Sequence, residues 1–350
     1  MTRSSYWRFM GLLFSLVDFG CTSGAVEAGD LLQTDTGADS SVSVDQQSVP
    51  LGCTEVTGIT VKPLSSRTWE FAIDRNATSV SISGLTENNE LAVVNSLTHE
   101  GEIWIPSDWW DGSSADLHLG CCVRVASWPG IALALVPSAP TREVPSGTWN
   151  VELSHSVEQP RVSARYGVPT GRLILPVLAY YESSLAADVI ADNLEEASAM
   201  LSAAAEIEFD VLGMSEITEG ELRSSDVTRF GPARSDSRDV LHIVFSLSLE
   251  GNALGASLVG GPPSQSAVLI DAGRFRVPRT IAHEAMHYLG LWHLTEVAQP
   301  DVHDPLSDTP FYDQNNLMSS DIEGGTALSA QQILMSRRHP ILLGASNPCD

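Results

Sequence analysis

One stretch of eleven residues constrains this chain more than any other. Residues 283–293 read His-Glu-Ala-Met-His-Tyr-Leu-Gly-Leu-Trp-His. His283 and His287 are four apart, so on a helix both imidazoles share a face and can bind one cation. Glu284 projects beside them, where it can take a proton from a metal-bound water. Gly290 suits the left-handed backbone that ends a helix and turns the chain, which lets His293 return as a third ligand. Three neutral imidazoles and one water give zinc an open catalytic position. His283, His287 and His293 are therefore the predicted metal ligands and Glu284 the predicted catalytic residue.

The rest of the composition sets the frame for that site. The chain has 350 residues, with 44 Asp plus Glu against 19 Lys plus Arg, for a formal net charge of -25. Phosphate contacts need a basic face, so nucleic acid is excluded as the main partner. A 43% share of apolar residues is enough for a real core. From residue 173 to 222 there are eleven acids and no base, which reads as a solvated helix face and loop.

The first 21 residues read as an export signal. Arg3 and Arg8 form a basic start and residues 9–17 an apolar run, too short to span a bilayer as a stable helix. Cys21 follows at once. The segment resembles the signal of bacterial lipoproteins, in which such a cysteine is lipidated, although Asp18 stands where those signals usually carry Leu. That resemblance implies export and a lipid anchor at the bacterial outer membrane or cell surface; without the anchor, the destination is periplasmic or secreted. Residues 22–50 are rich in Ser, Thr, Gly, Asp and Gln. They hold too little apolar surface to offset their ordering entropy and read as a disordered linker. Cys53, Cys121, Cys122 and Cys349 are candidates for disulfides. Adjacent Cys121 and Cys122 would be strained as a pair, so Cys53 is expected to join one of them and Cys349 the other.

Two folded regions follow. Over 51–155, short alternating runs at 57–62, 69–73, 79–82, 91–94, 102–105, 117–125, 132–136 and 148–153 predict an all-β sandwich accessory domain. Trp109 and Trp110 within it read as core or interface residues rather than a ligand-stacking loop. Over 156–350 the period changes. Strands are expected at 172–181, 207–212, 240–247 and 267–270, with Pro176 marking an edge or bulge in the first. A helix is expected over 184–204, with Leu185, Val189, Leu194, Ala197, Leu201 and Ala204 on its apolar face. A second opens near 278–280, and a third starts at Ser329 in a capping box and stops before Pro340. The expected fold class is α+β: a mixed sheet with helices beneath it, preceded by the sandwich.

Residues 283–293 resemble the extended zinc signature of the metzincin metallopeptidases. Asn316-Leu317-Met318 would supply the Met-turn of that family, with Met318 as an apolar floor under the metal. Asp304-Pro305-Leu306-Ser307-Asp308-Thr309-Pro310 and Leu291-Trp292-His293 are similar to the pappalysin-like branch. The resemblance covers about residues 160–350. It implies a zinc endopeptidase acting on proteins or peptides, with Glu284 as general base and then proton donor to the leaving amine. It also implies that the strand at 267–270 lies at the cleft edge and pairs with an extended peptide. Asp301, Asp304 and Asp308 are candidate calcium ligands, as in some relatives. Some members carry a Tyr two residues after the Met; here that position is Ser320, leaving the role to another residue such as Tyr312. Two other readings stand beside this one: a non-catalytic surface lipoprotein with a binding β-domain and a relic zinc fold, and a zinc hydrolase of non-peptide substrates.

Overall fold

Between residues 55 and 166 the alternating runs form strands β1 (Glu55–Ile59), β2 (Val61–Pro63), β3 (Thr68–Ile73), β4 (Ser79–Leu85), β5 (Leu91–Ala92), β6 (Val94–His99), β7 (Glu102–Ile105), β8 (Asp116–Leu119), β9 (Val123–Pro129), β10 (Ile131–Val136), β11 (Gly147–Leu153) and β12 (Arg161–Tyr166). The computed structural model describes residues 55–344 apart from 87–89, 113–115, 120–122, 138, 158, 168–169, 219–225, 227–238, 251–252, 263–264, 275–276, 297–298 and 321–323, and apart from the side chains of 116–119, 127, 296 and 299–303. The export signal, the linker and all five cysteines, including Cys21 and the disulfide candidates Cys53, Cys121, Cys122 and Cys349, lie outside the described residues. Among the described residues no helix is long and apolar enough to cross a membrane.

The strands make two antiparallel sheets, ordered β1-β12-β4-β10-β9-β5 with β8 on β9, and β2-β3-β11-β6-β7. Val80, Ile82, Val125 and Ala134 of the first meet Trp69, Phe71, Trp149 and Val151 of the second, which is the sandwich core. Trp109 donates its indole N–H to Val94 O (3.1 Å) and packs on that core, so it is structural. The first sheet also runs past residue 155. Strand β12 sits between β1 and β4, in register from Arg161↔Ser83 to Arg165↔Ser79.

The chain continues through β13 (Leu173–Glu182), α1 (Ala187–Ala205), β14 (Ile207–Ile217), β15 (Leu241–Ser246), β16 (Gly255–Ala256), β17 (Ala267–Asp271), α2 (Val277–Tyr288), β18 (Thr295–Glu296), β19 (Gln299–His303), α3 (Ala330–Ser336) and β20 (Leu343–Gly344). A third sheet has the order β14-β13-β15-β17-β16, with β20 on β13. β13, β14, β15 and β17 are parallel, while β16 and β20 run antiparallel. The class is α+β, mostly sheet with few helices.

Three local expectations need correcting. Pro176 is in a central strand, not at an edge. It falls between the β20 pairing, which ends at Ile174, and the β15 pairing, which begins at Val177; the register against β14 shifts one residue later, so the bulge reading stands. Proline has no N–H to give, and this is where the ladder asks for none. Helix α1 buries Ile190, Leu194, Ala197, Leu201 and Ala205, while Val189 is 54% exposed. Leu194, Ala197 and Leu201 lie where the spacing predicts and Leu185 packs on the same core, while Ile190 and Ala205 take the places expected of Val189 and Ala204. The strand at 267–270 is β17, an interior strand; the cleft-edge position belongs to the two-residue β16, too short to show a period.

The described residues between 55 and 344 belong to one compact unit, and alternation in the third sheet shows why. Leu175, Val177, Ile243, Phe245, Val268 and Ile270 face the helices, against Ile190, Leu194, Ile281 and Ala285. Tyr180, Val244, Ala267 and Leu269 face the other way, against Ala126, Ile131 and Leu133 of the sandwich. The order of layers is sheet, sheet, sheet, helices. Strands β15 and β17 are buried on both faces, which is why they read as continuous apolar runs.

Polar side chains lock the same interface. Buried Arg165 donates to the carbonyls of His339 (3.2 Å) and Leu342, and Ser79 Oγ donates to Arg338 O. Arg338 reaches back to the carbonyls of Ala139 (3.1 Å) and Arg142 (2.6 Å). His339 is 1% exposed, and burial, with the Arg165 charge, lowers its pKa to about 3. Unfolded, it would take a proton near pH 6.5 that the folded chain refuses. Stability is therefore full above pH 6.5 and falls as pH drops toward 3, by roughly tenfold in the folding equilibrium per pH unit from this residue. Urea midpoints at pH 7.5 and 5.5 should show the loss, and a His339→Gln variant should lose that part of the slope. Equal slopes in the two proteins would exclude this account.

Candidate metal centre

Helix α2 is buried from Arg279 to Tyr288. Its end is fixed from two directions. Gly290 adopts φ +103, its N–H bonds His287 O (2.8 Å) and the Leu291 N–H bonds Met286 O (3.0 Å), the paired pattern of a Schellman stop. The N–H groups of Gly260 and Gly261 take the carbonyls of His287 (2.8 Å) and Tyr288 (2.9 Å). The chain reverses at the predicted glycine and brings His293 back to the helix.

The three imidazoles converge. His293 Nε2 lies 3.1 Å from His283 Nε2 and 3.1 Å from His287 Nε2. The opposite ring nitrogens are tied to the backbone: His283 Nδ1 to Leu317 O and His287 Nδ1 to Leu291 O, both at 2.7 Å. A carbonyl only accepts, so both Nδ1 atoms carry the proton and both Nε2 atoms turn a lone pair toward His293. A tetrahedral ion with Zn–N bonds of about 2.0–2.1 Å sets nitrogens about 3.3 Å apart. The observed spacing fits that geometry. Among the described residues, His283, His287 and His293 are the group of three or more His, Cys, Asp or Glu side chains close enough to hold a metal.

The electrostatics favour ligation. Burial first, then the His293 charge, lowers the His283 pKa to about 3. His287 is also held well below the usual imidazole value, by burial, by both neighbouring histidines and by Arg124. Both rings are therefore neutral near pH 7 and free to donate a lone pair. Glu284 is 8% exposed, and burial raises its pKa to about 7 against the opposing influence of His293 and Ser257.

Several supporting residues were not legible in advance. Arg279 donates to the carbonyls of Gly325 (3.2 Å), Leu317 (3.2 Å) and Ser319 (3.3 Å), pinning the loop whose Leu317 carbonyl orients His283. A cation in a first helical turn opposes the helix dipole, and that was the available signal. Gly255 on β16 lies against Glu284: a Cβ there would stand 2.5 Å from its Cγ and 2.7 Å from Oε1. Met318 is fully buried in the core that α2 joins, and its N–H bonds Asn316 Oδ1 (2.8 Å). Asn316 in turn bonds Gln332 (2.8 Å), the residue that closes the capping box of α3 with Ser329.

The aspartates of the acidic loop accept hydrogen bonds from their own segment and from α3. Asp304 Oδ1 accepts from Leu306 N (3.1 Å) and Thr309 Oγ1. Asp308 accepts from Ser329 Oγ (2.7 Å) and Gln331 N (2.9 Å), at the start of α3. The two carboxylates thus serve a turn and a helix cap. The Asp301 side chain lies outside the described residues. Tyr312 is 68% exposed, beside Phe311.

No family model matches the chain, and no curated protein matches it. Among solved structures it is similar to archaemetzincin from Methanopyrus kandleri, at 14% identity and a TM-score of 0.31, over 47% of this chain and 88% of that one. It is also similar to metalloproteinase-II from Bacteroides fragilis, at 12% identity and 0.32, over 49% and 60%. A chain from a chaperone–substrate complex overlaps at 11% identity and 0.32, over 55% and 38%. Overlaps of this extent assign the chain to no family.

Proposed function

We propose that this chain is an exported zinc-dependent endopeptidase of pappalysin-like metzincin type, held to a membrane only through a lipid on Cys21. The observation that carries the reading is the convergence of three Nε2 atoms, two of them on rings fixed by backbone carbonyls, beside a buried carboxylate. His283, His287 and His293 would hold the zinc. A zinc ion bound there would polarise a scissile carbonyl and lower the pKa of a bound water.

The remaining work falls to the protein. Glu284 would accept the proton of the attacking water at its carboxylate and return it to the leaving amine. Its pKa, raised by burial to about 7, suits a group that must do both. No strand pairs with the outer edge of β16 among the described residues, so an extended peptide can add there by main-chain hydrogen bonds. That edge lies next to Glu284 through Gly255, placing a peptide bond within reach of the base.

Metal content and cleavage test the reading together. The full chain is expected to retain one zinc at neutral pH, to cut a mixed peptide library, to lose cutting in chelator and to regain it with zinc. A protein that retains no zinc at neutral pH counts against the three histidines acting together. A zinc-loaded protein that cuts nothing in the library returns the chain to the relic reading.

A further inference from the structure

We infer that the β-sandwich is part of the metal centre: Arg124 on β9 positions the third ligand, His293, by stacking its guanidinium on Trp292. This rests on the reading of the three histidines as a zinc site. The Arg124 guanidinium carbon lies 3.8 Å from the centroid of the Trp292 ring, well within cation–π range. Arg124 is 2% exposed, so the contact is made away from water, where such an interaction is strongest. Trp292 is the residue immediately before His293 and immediately after Leu291, whose carbonyl holds His287 Nδ1 at 2.7 Å. Fixing Trp292 therefore fixes two ligands, one through its own chain neighbour and one through a backbone acceptor.

A second contact from the same sheet supports the turn. Leu135 on β10 packs against Gly290, where a Cβ would stand 2.8 Å from Leu135 Cδ2. Arg124 and Leu135 are cross-strand partners in the β9–β10 ladder, so both side chains leave the same face of the same sheet. Together they form a template on which residues 290–293 lie. The helix presents His283 and His287 by its own geometry and holds Leu291 through Met286 and His287, but Trp292 and His293 lie beyond those bonds. The sandwich fixes their path.

The test must separate positioning from charge and from general stability. Arg124→Lys keeps the charge and loses the planar stack. Trp292→Leu removes the ring at a half-exposed position, and Trp292→Phe restores an aromatic face. Zinc affinity of each full-length protein is read by chelator competition, and site geometry by the visible spectrum of the cobalt-substituted protein. Arg124→Lys and Trp292→Leu are expected to bind zinc about tenfold or more weakly with an altered cobalt spectrum, the double variant to be no worse than either, and Trp292→Phe to resemble wild type. Wild-type zinc affinity and spectrum in folded Trp292→Leu would overturn the proposal, even if Arg124→Lys fails to fold. So would a lowered melting temperature of the chelated proteins with unchanged affinity. A wild type that holds no zinc would instead remove the metal-site reading itself.

Discussion

A Glu284→Gln variant should keep its zinc and lose peptide cleavage by about 10²–10⁴-fold, the usual worth of a positioned general base. Glutamine preserves the shape of the side chain and leaves the three Nε2 atoms untouched, but it cannot take a proton from water. Gly255→Ala is the companion experiment. Its Cβ would fall 2.5 Å from Glu284 Cγ and 2.9 Å from Cδ, so the carboxylate must move. Cleavage should fall while zinc content stays at wild-type level. Steady-state cleavage of one peptide, with zinc measured on the same samples, decides the matter. If Glu284→Gln cuts as fast as wild type, the base is another group and the mechanism fails.

The second large effect concerns the sandwich. A fragment of residues 156–350 is expected not to fold: no cooperative melting, dye binding typical of exposed apolar surface, and rapid proteolysis. Cutting there strips β12 of both its neighbours, β1 and β4. It also bares one face of the third sheet, including Tyr180, Val244, Ala267 and Leu269. Each such side chain is worth about 1.5–3 kcal/mol when buried, and a whole domain is stable by only about 5–15 kcal/mol. Arg165 would stay in the fragment, yet the strands on both sides of its own would be gone. A fragment that melts cooperatively and holds zinc would show the sandwich to be a removable accessory, as its separate pattern in the sequence suggests.

Much of the site was legible because it is local. The i, i+4 histidines, the glycine stop and the capping box at Ser329 each depend on residues within one or two turns of chain, and each stands where the spacing puts it. The sandwich strands were legible for the same reason, through their period of two. Arg279, Gly255 and Arg124 were not, because their roles lie in what they touch: carbonyls 38 to 46 residues away, a carboxylate on another element, an indole on another layer. The hydrogen bonds of Asp308 to the start of α3 were illegible for the same reason, since their donors Ser329 and Gln331 lie 21 and 23 residues away.

By itself, then, the sequence determined the helix, its stop and the grouping of three candidate ligands beside a glutamate, since backbone geometry over eleven residues leaves little choice. Tertiary structure decided what holds those ligands still. The Leu317 and Leu291 carbonyls fix the imidazole tautomers, β16 takes the sheet edge beside Glu284, and the sandwich closes the open face of the third sheet and grips the turn carrying His293. The last of these joins residues more than a hundred positions apart, Arg124 to Trp292, and no periodicity along the chain encodes that distance.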